Sequence, residues 1–187
     1  MGVETVGSLT VIMDSDVMIA LLKSGITEVL GCIPGLEFLI TDVNYEEIRR
    51  GAEAPVLEEI VMKQAVRVET ISEPMALIKF AELQHVIDAG ESAVITMASL
   101  NGGHVAMHDK AGRRIAIGQL SEKRVHRLED LIVEAVRNGC LSVENANLAA
   151  GRLRDANDYL PCFADDGIQS ILLDPNFGIS SKNMTHL

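Results

Sequence analysis

The 187-residue chain has no tryptophan, two tyrosines and four phenylalanines. Its core must therefore be aliphatic, packed from Val, Ile, Leu, Ala and eight methionines, and few rings are left on which bases can stack. Positive charge is scarce too, with 16 Lys and Arg against 27 Asp and Glu and a formal net charge of −11. That balance excludes a nucleic acid held by a broad basic surface, because such binding is driven by many Lys and Arg contacts to phosphate. A small site built around a divalent cation is not excluded. Cys32, Cys140 and Cys162 are odd in number and lack a C-x-x-C pair, so they read as buried thiols in a reducing compartment rather than as disulfides or a zinc site. No apolar run approaches the ~20 residues that span a bilayer. The start Met1-Gly2-Val3-Glu4 has no basic, apolar leader. The expectation is a soluble cytoplasmic protein.

What is present is 48% hydrophobic and 23% charged, enough for one globular domain over residues 1–173 with a sizeable core. The stretch Leu9-Thr10-Val11-Ile12-Met13 reads as a short buried strand, and Val17, Met18, Leu21 and Leu22 repeat with helical spacing. Asp14, Ser15 and Asp16 lie at the turn between them. Taken alone, this stretch is explained by Ser15 or Asp16 capping the helix. Gly25 ends that helix. A second strand, 38–41, runs into a helix over 42–50 capped by Thr41 or Asp42, on which Glu47 lies over apolar Val43 and Glu46 over Asp42. A helix over 53–64 precedes an alternating strand, 66–71, that reads as a sheet edge. A further helix, about 74–84, leads to one from Asp88 whose Ala93, Val94, Met97 and Ala98 form an apolar stripe. Asp88 and Glu91 there have capping-box spacing, and Gly90 leaves room for a close approach. A strand over 104–108 delivers Asp109 to a helix over 111–117. Beyond it come a short strand at 124–127, helices over 129–137, 142–157 and 166–172 as a C-terminal extension, and a loose polar tail over 174–187.

Asp14, Glu47, Glu91 and Asp109 thus fall at or just past the carboxyl edge of one parallel sheet, where open α/β sheets bind ligands. Each has a structural explanation as a cap or a solvated acid, but none of those explanations accounts for their shared location. Gathered carboxylates repel one another and are stable as anions chiefly around a hard cation such as Mg²⁺ or Mn²⁺. An ion held there activates water and neutralises phosphoryl charge, so phosphodiester hydrolysis is the chemistry indicated. Lys110, Arg113 and Arg49 are the candidate phosphate contacts.

The order Val11-Ile12-Met13-Asp14-Ser15-Asp16, Tyr45-Glu46-Glu47-Ile48, Gly90-Glu91-Ser92-Ala93-Val94 and Met107-His108-Asp109-Lys110 with Arg113 resembles a PIN-domain protein, over about residues 9–138. It is nearest to a prokaryotic toxin-type subgroup carrying a Gly-Glu motif. The resemblance implies a three-layer α/β/α sandwich with a central, mainly parallel sheet of about four to five strands, plus C-terminal helices. It implies a Mg²⁺- or Mn²⁺-dependent endoribonuclease acting on RNA, often the toxin of a toxin–antitoxin pair; the acidic charge and scarce aromatics separately point to a protein partner or a homodimer. Asp14, Glu47, Glu91 and Asp109 become the catalytic, metal-binding set. Asp16, where the family more often has Ser, Thr or Asn, adds a fifth ligand or outer-sphere acceptor. His108 stands where an acid often precedes the Asp.

Two other readings compete. Asp14-Ser15-Asp16-Val17 also resembles the first motif of haloacid-dehalogenase-type phosphatases, with Thr41 as the second motif and Asp165-Asp166 as the last. Pro161 makes a poor central strand before those acids, and Glu47 and Glu91 have no role in that scheme. The third reading is a PIN-like protein that binds a partner without cutting RNA.

Overall fold

The computed structural model describes residues 8–156 and 167–179. Its strands are β1 (Leu9–Met13), β2 (Leu36–Thr41), β3 (Arg67–Glu69), β4 (His104–Ala106) and β5 (Val125–His126), and the helices are α1 (Ser15–Ser24), α2 (Asp42–Ile48), α3 (Ala54–Met62), α4 (Pro74–Leu83), α5 (Ala89–Asn101), α6 (Lys110–Leu120), α7 (Leu128–Arg137), α8 (Val143–Asp155) and α9 (Gln169–Leu172). The five strands form one sheet in the order β3-β2-β1-β4-β5, and every pair is parallel. The mainly parallel sheet expected from the sequence is wholly parallel, with β3 at the expected edge.

Side chains alternate across a strand, so a parallel strand covered on both faces is apolar throughout. Val11 and Met13 of β1 pack with Phe38 and Ile40 against α1, α7 and α8, through residues such as Met18, Leu21, Ile132 and Leu153. Ile12, Leu39 and Val105 face the other way, against Ala76 and Leu83 of α4, Val94 and Met97 of α5 and Leu120 of α6. Helices on both faces of the sheet make the expected three-layer α/β/α sandwich.

Several elements differ in detail from the sequence reading. The apolar stripe expected on α5 is part of a helix buried continuously from Gly90 to Ala98. It lies over β1, β2 and β4 and is flanked by α2, α4 and α6, which leaves no solvent face for most of its length. On the opposite layer α7 is buried from Leu128 to Ala135, acids included. Two of those acids anchor the chain's later part: Asp130 accepts from the Gly178 N–H at 3.0 Å and Glu134 from the Ile179 N–H at 3.0 Å. Arg137 donates to the carbonyls of Leu172, Asp174 and Phe177. Of the tail expected to be loose, residues 174–179 are therefore tied to α7, and the rest lies outside the described residues. Gly25 ends α1 in the left-handed conformation as expected, φ 71°. No helix among the described residues is long and apolar enough to cross a membrane.

The cysteines correct the thiol reading. Cys32, after α1, is disulfide-bonded to Cys140, after α7, with Cα atoms 5.6 Å apart. A separation of 108 residues hides such a pair from any local spacing rule. Cys162 lies outside the described residues.

The strand order also positions a site. The chain runs outward from β1 to β2 and β3, then returns to place β4 on the other side of β1. The sheet therefore reverses direction between β1 and β4, and the crevice beyond the carboxyl ends of two such strands is left open by connections that diverge. The Asp14 N–H donates to the Ala106 carbonyl at 3.0 Å, joining those two ends.

Reduction of the disulfide should lower stability by about 2–4 kcal/mol, since it closes a long loop. Dithiothreitol is expected to lower the Tm of the wild type, whereas Cys32→Ser should start lower and not respond. Three titratable thiols in the unreduced native protein would contradict the bond.

Candidate functional site

Each acid in question sits where a strand or loop hands over to a helix. Asp14 is the N-cap residue of α1, with extended backbone at φ −72° and ψ 158°, yet its side chain makes no capping bond. Ser15 and Asp16, the expected caps, are already inside the first turn. The Asp14 carboxylate is turned instead toward α2, where it accepts from Asn44 Nδ2 at 3.2 Å. Asn44 is fully buried. Its Nδ2 also donates to Ser15 Oγ at 2.9 Å, its Oδ1 accepts from Thr41 Oγ1 at 2.5 Å, and Ser15 Oγ donates onward to Glu47 Oε2 at 2.7 Å. Glu47, though on the exposed side of α2, is thereby turned toward the rim. Glu46 beside it is exposed and pairs with Arg49 at 2.9 Å.

Glu91 and Asp109 meet at a glycine. Asp88 caps α5, accepting from the Glu91 N–H at 2.8 Å. The Glu91 carboxylate lies against α6, so close to Gly112 that a Cβ built there would fall 2.2 Å from its Oε1. The Gly112 N–H donates to Asp109 Oδ2 at 2.7 Å, making Asp109 the cap of α6. Gly90 plays the matching part on α2, where a Cβ would stand 2.9 Å from Asn44 Nδ2 and 3.3 Å from Glu47 Oε2. The close approach expected at Gly90 is present.

Burial and crowding set the charge states. The Asp14 carboxyl is pushed up to about 7, first by burial and then by Asp16, Glu91 and Asp88, against one opposing hydrogen bond from the Ser15 backbone. Glu91 is likewise pushed up to about 7 by burial, then by Asp88, Asp109 and Asp16. Asp109 is held below the usual carboxylate range, chiefly by the Gly112 N–H. The structure thus brings Asp14, Glu91 and Asp109 to one rim, with Asp16 close enough to act on the first two and Glu47 joined through Ser15.

Among the described residues no three His, Cys, Asp or Glu side chains converge tightly enough to enclose an ion unaided. Mg²⁺ asks for less, since it keeps several waters and takes one or two carboxylates directly. An anionic, all-oxygen donor set in which Asp14 resists ionisation suits a hard divalent cation.

Two clefts flank the acids. One, of about 590 Å³, is lined by Asp109, Lys110, Ala111, Arg113, Arg114, Ile117 and Arg127. The other, of about 520 Å³, is lined by Val43, Glu46, Glu47, Arg50, Asp88, Ala89 and Gly90. Of the candidate phosphate contacts, Lys110 lines the first cleft with its ammonium unpaired among the described residues. Arg113 lines it as well, but its guanidinium donates to the carbonyls of His108 and Met107. Arg49 does not join the site: it lies over the Tyr45 ring, 5.5 Å from the centroid, and pairs with Glu46 and Glu58. Its place on the outer face of α2 turns it from the rim.

Sequence reasoning missed Asn44, Asp88 as a charged neighbour, Gly112 and Arg127. Only Gly112 left a local signal, a glycine in the first turn of a helix, where it costs ~1 kcal/mol relative to alanine.

A family model described as a PIN domain matches residues 10–162. Neither the curated proteins nor the solved structures include a match.

Two outcomes follow from the packing and the charges. Gly112→Ala should displace the Glu91 carboxylate and leave the helix intact, so any stabilisation by Mn²⁺ should fall while the Tm in EDTA changes little. An unaltered Mn²⁺ response would show that Glu91 takes no part. The raised carboxyls contribute stability that is complete below the ordinary carboxyl pKa near 4 and lost as pH rises through about 7. In EDTA the Tm should therefore fall from about pH 5 to about pH 8, and Asp14→Asn should flatten that fall, gaining on the order of 3 kcal/mol over wild type at the upper end. Equal pH profiles would contradict the assignment of Asp14.

Proposed function

The chain belongs to the PIN-domain family, whose fold is of the nuclease type, and on that premise we propose that it is an endoribonuclease that hydrolyses RNA phosphodiester bonds with Mg²⁺ or Mn²⁺. The observation that carries the reading is the Asp14 carboxylate, set at a helix N-terminus without capping it and pushed up to about 7 by burial first and by neighbouring acids second. Asp14, Glu91 and Asp109 would hold the ion, with Glu47 and Asp16 at its periphery. Bound there, such a cation lowers the pKa of water and neutralises charge on a phosphoryl oxygen.

The chain's own groups do the rest. Asn44 Nδ2 orients Asp14, and the Ser15 hydroxyl orients Glu47. Gly112 leaves the space in which Glu91 reaches Asp109. Membership of the toxin-type subgroup, with an antitoxin as partner, belongs to the same proposal and rests on the motif order quoted above; a homodimer belongs to it as well and rests on the −11 charge and the scarcity of aromatics.

The phosphatase reading is weaker. Thr41, which it needs as a phosphate ligand, is fully buried and spent on Asn44, both as donor and as cap of α2. Asp165 and Asp166 lie outside the described residues.

Thermal unfolding with EDTA, Mg²⁺ and Mn²⁺ tests the metal centre. Wild type should be stabilised in proportion to RT ln(1 + [L]/Kd), about 2.7 kcal/mol at a hundredfold excess over Kd, and Asp14→Asn should lose most of that gain. Cleavage of RNA in Mn²⁺ should disappear in both Asp14→Asn and Asp109→Asn, with no turnover of p-nitrophenyl phosphate by any form. Full cleavage by both variants would overturn the assignment. Metal stabilisation without cleavage would favour the non-catalytic PIN-like protein.

A further inference from the structure

In a chain with 16 Lys and Arg, four of them, Lys110, Arg113, Arg114 and Arg127, line one cleft beside the carboxylate rim. They are not all equivalent. Arg113 is half-buried and bonded to the carbonyls of Met107 and His108, so it pins the segment that carries Asp109 and forms part of the cleft's wall. Its guanidinium is held below its usual range by burial and then by the charge of Arg127, against the opposing charges of Glu129, Asp109 and Asp130. Arg113 and Arg127 thus add their positive charge to the same cleft wall. Lys110 and Arg114, both exposed on α6, make no ion pair among the described residues. Ile117, 40% exposed, adds an apolar surface one turn further along α6.

On the other side of the acids the balance is reversed. Glu46, Glu47 and Asp88 line the second cleft with Arg50 as its only base among the described residues. A polyanion crossing the rim is therefore attracted on one side and repelled on the other.

We propose that the cleft between α6 and the end of β5 holds the backbone of a single RNA strand on one side of the carboxylate rim. Lys110, Arg114 and Arg127 contact its phosphates, Ile117 meets an unstacked base or ribose, and the acidic cleft of α2 and α5 stays off the strand's path. A single strand is specified because bases in an A-form duplex stay stacked and out of reach of such a side chain. The inference takes from the proposed function only that the ligand is a phosphodiester chain.

Fluorescence anisotropy of a labelled single-stranded RNA in EDTA, where metal-dependent cleavage is silent, tests it over a series of salt concentrations. Arg114→Ala and Arg127→Ala should each weaken binding several-fold and reduce the slope of log K against log salt by about 0.7, the value of one single-strand phosphate contact. Arg50→Ala, in the opposite cleft, should change neither. Arg114 carries the test if Arg127→Ala, at the start of α7, lowers the Tm. Indifference to Arg114→Ala, an equal loss in Arg50→Ala, or equally good competition by duplex RNA overturns the proposal. The Mn²⁺ response separates the two ideas. Stabilisation of wild type by Mn²⁺ with binding that ignores the cleft removes the strand path and leaves the nuclease reading. Binding that needs Arg114 without any Mn²⁺ stabilisation keeps the path and removes the metal centre.

Discussion

Carboxylates gathered out of water repel one another, and the arrangement of this rim is governed by how that repulsion is contained. Neutral groups do the containing. Asn44 spans Asp14 and Ser15, Ser15 holds Glu47, and the Gly112 N–H holds Asp109. Backbone supplies what side chains do not, since the glycines at 90 and 112 allow α2, α5 and α6 to approach until their acids share one space. Among the described residues no Lys or Arg forms a salt bridge with Asp14 or Glu91, so no cationic side chain offsets the burial that pushes both carboxyls up to about 7. A buried arginine there would have lowered both values and filled the place a cation would take.

The sheet makes this gathering possible. Parallel strands deliver their carboxyl ends to the same side, and the reversal between β1 and β4 leaves the crevice open where Asp14 and Asp109 emerge. Glu91 and Glu47 come from helices rather than from strand ends, so their arrival depends on the packing of α5 and α2 over the sheet. Surface charge then distinguishes the two sides of the crevice, basic along α6 and acidic along α2. In a strongly acidic chain, that separation puts four of the 16 Lys and Arg on one side of the acids.

Much of this was legible locally. A short apolar run ending in an acid and followed by helical periodicity marks both the strand and the rim, which is why Asp14 and Asp109 stood out and why Glu91 could be found beside its own cap. What escaped depends on contacts between distant segments. Asn44 is separated from Asp14 by 30 residues and reads in the sequence as an ordinary helix position. The Cys32–Cys140 bond and the all-round burial of α5 have the same cause, for neither follows from a window of ten or fifteen residues. Arg49 failed for the converse reason: its i−3 neighbour Glu46 claims it on the outer face of its own helix.

The central claim is that burial first, and the acids around them second, raise the Asp14 and Glu91 carboxyls, and that a divalent cation displaces their protons. Calorimetric titration with Mn²⁺ near pH 7, repeated in buffers of different ionisation heat, counts those protons directly. The account predicts release of about one proton per bound ion near pH 7, declining toward none by about pH 9, where both groups are already anions. Binding without proton release at pH 7, or release that survives in Asp14→Asn, would contradict it.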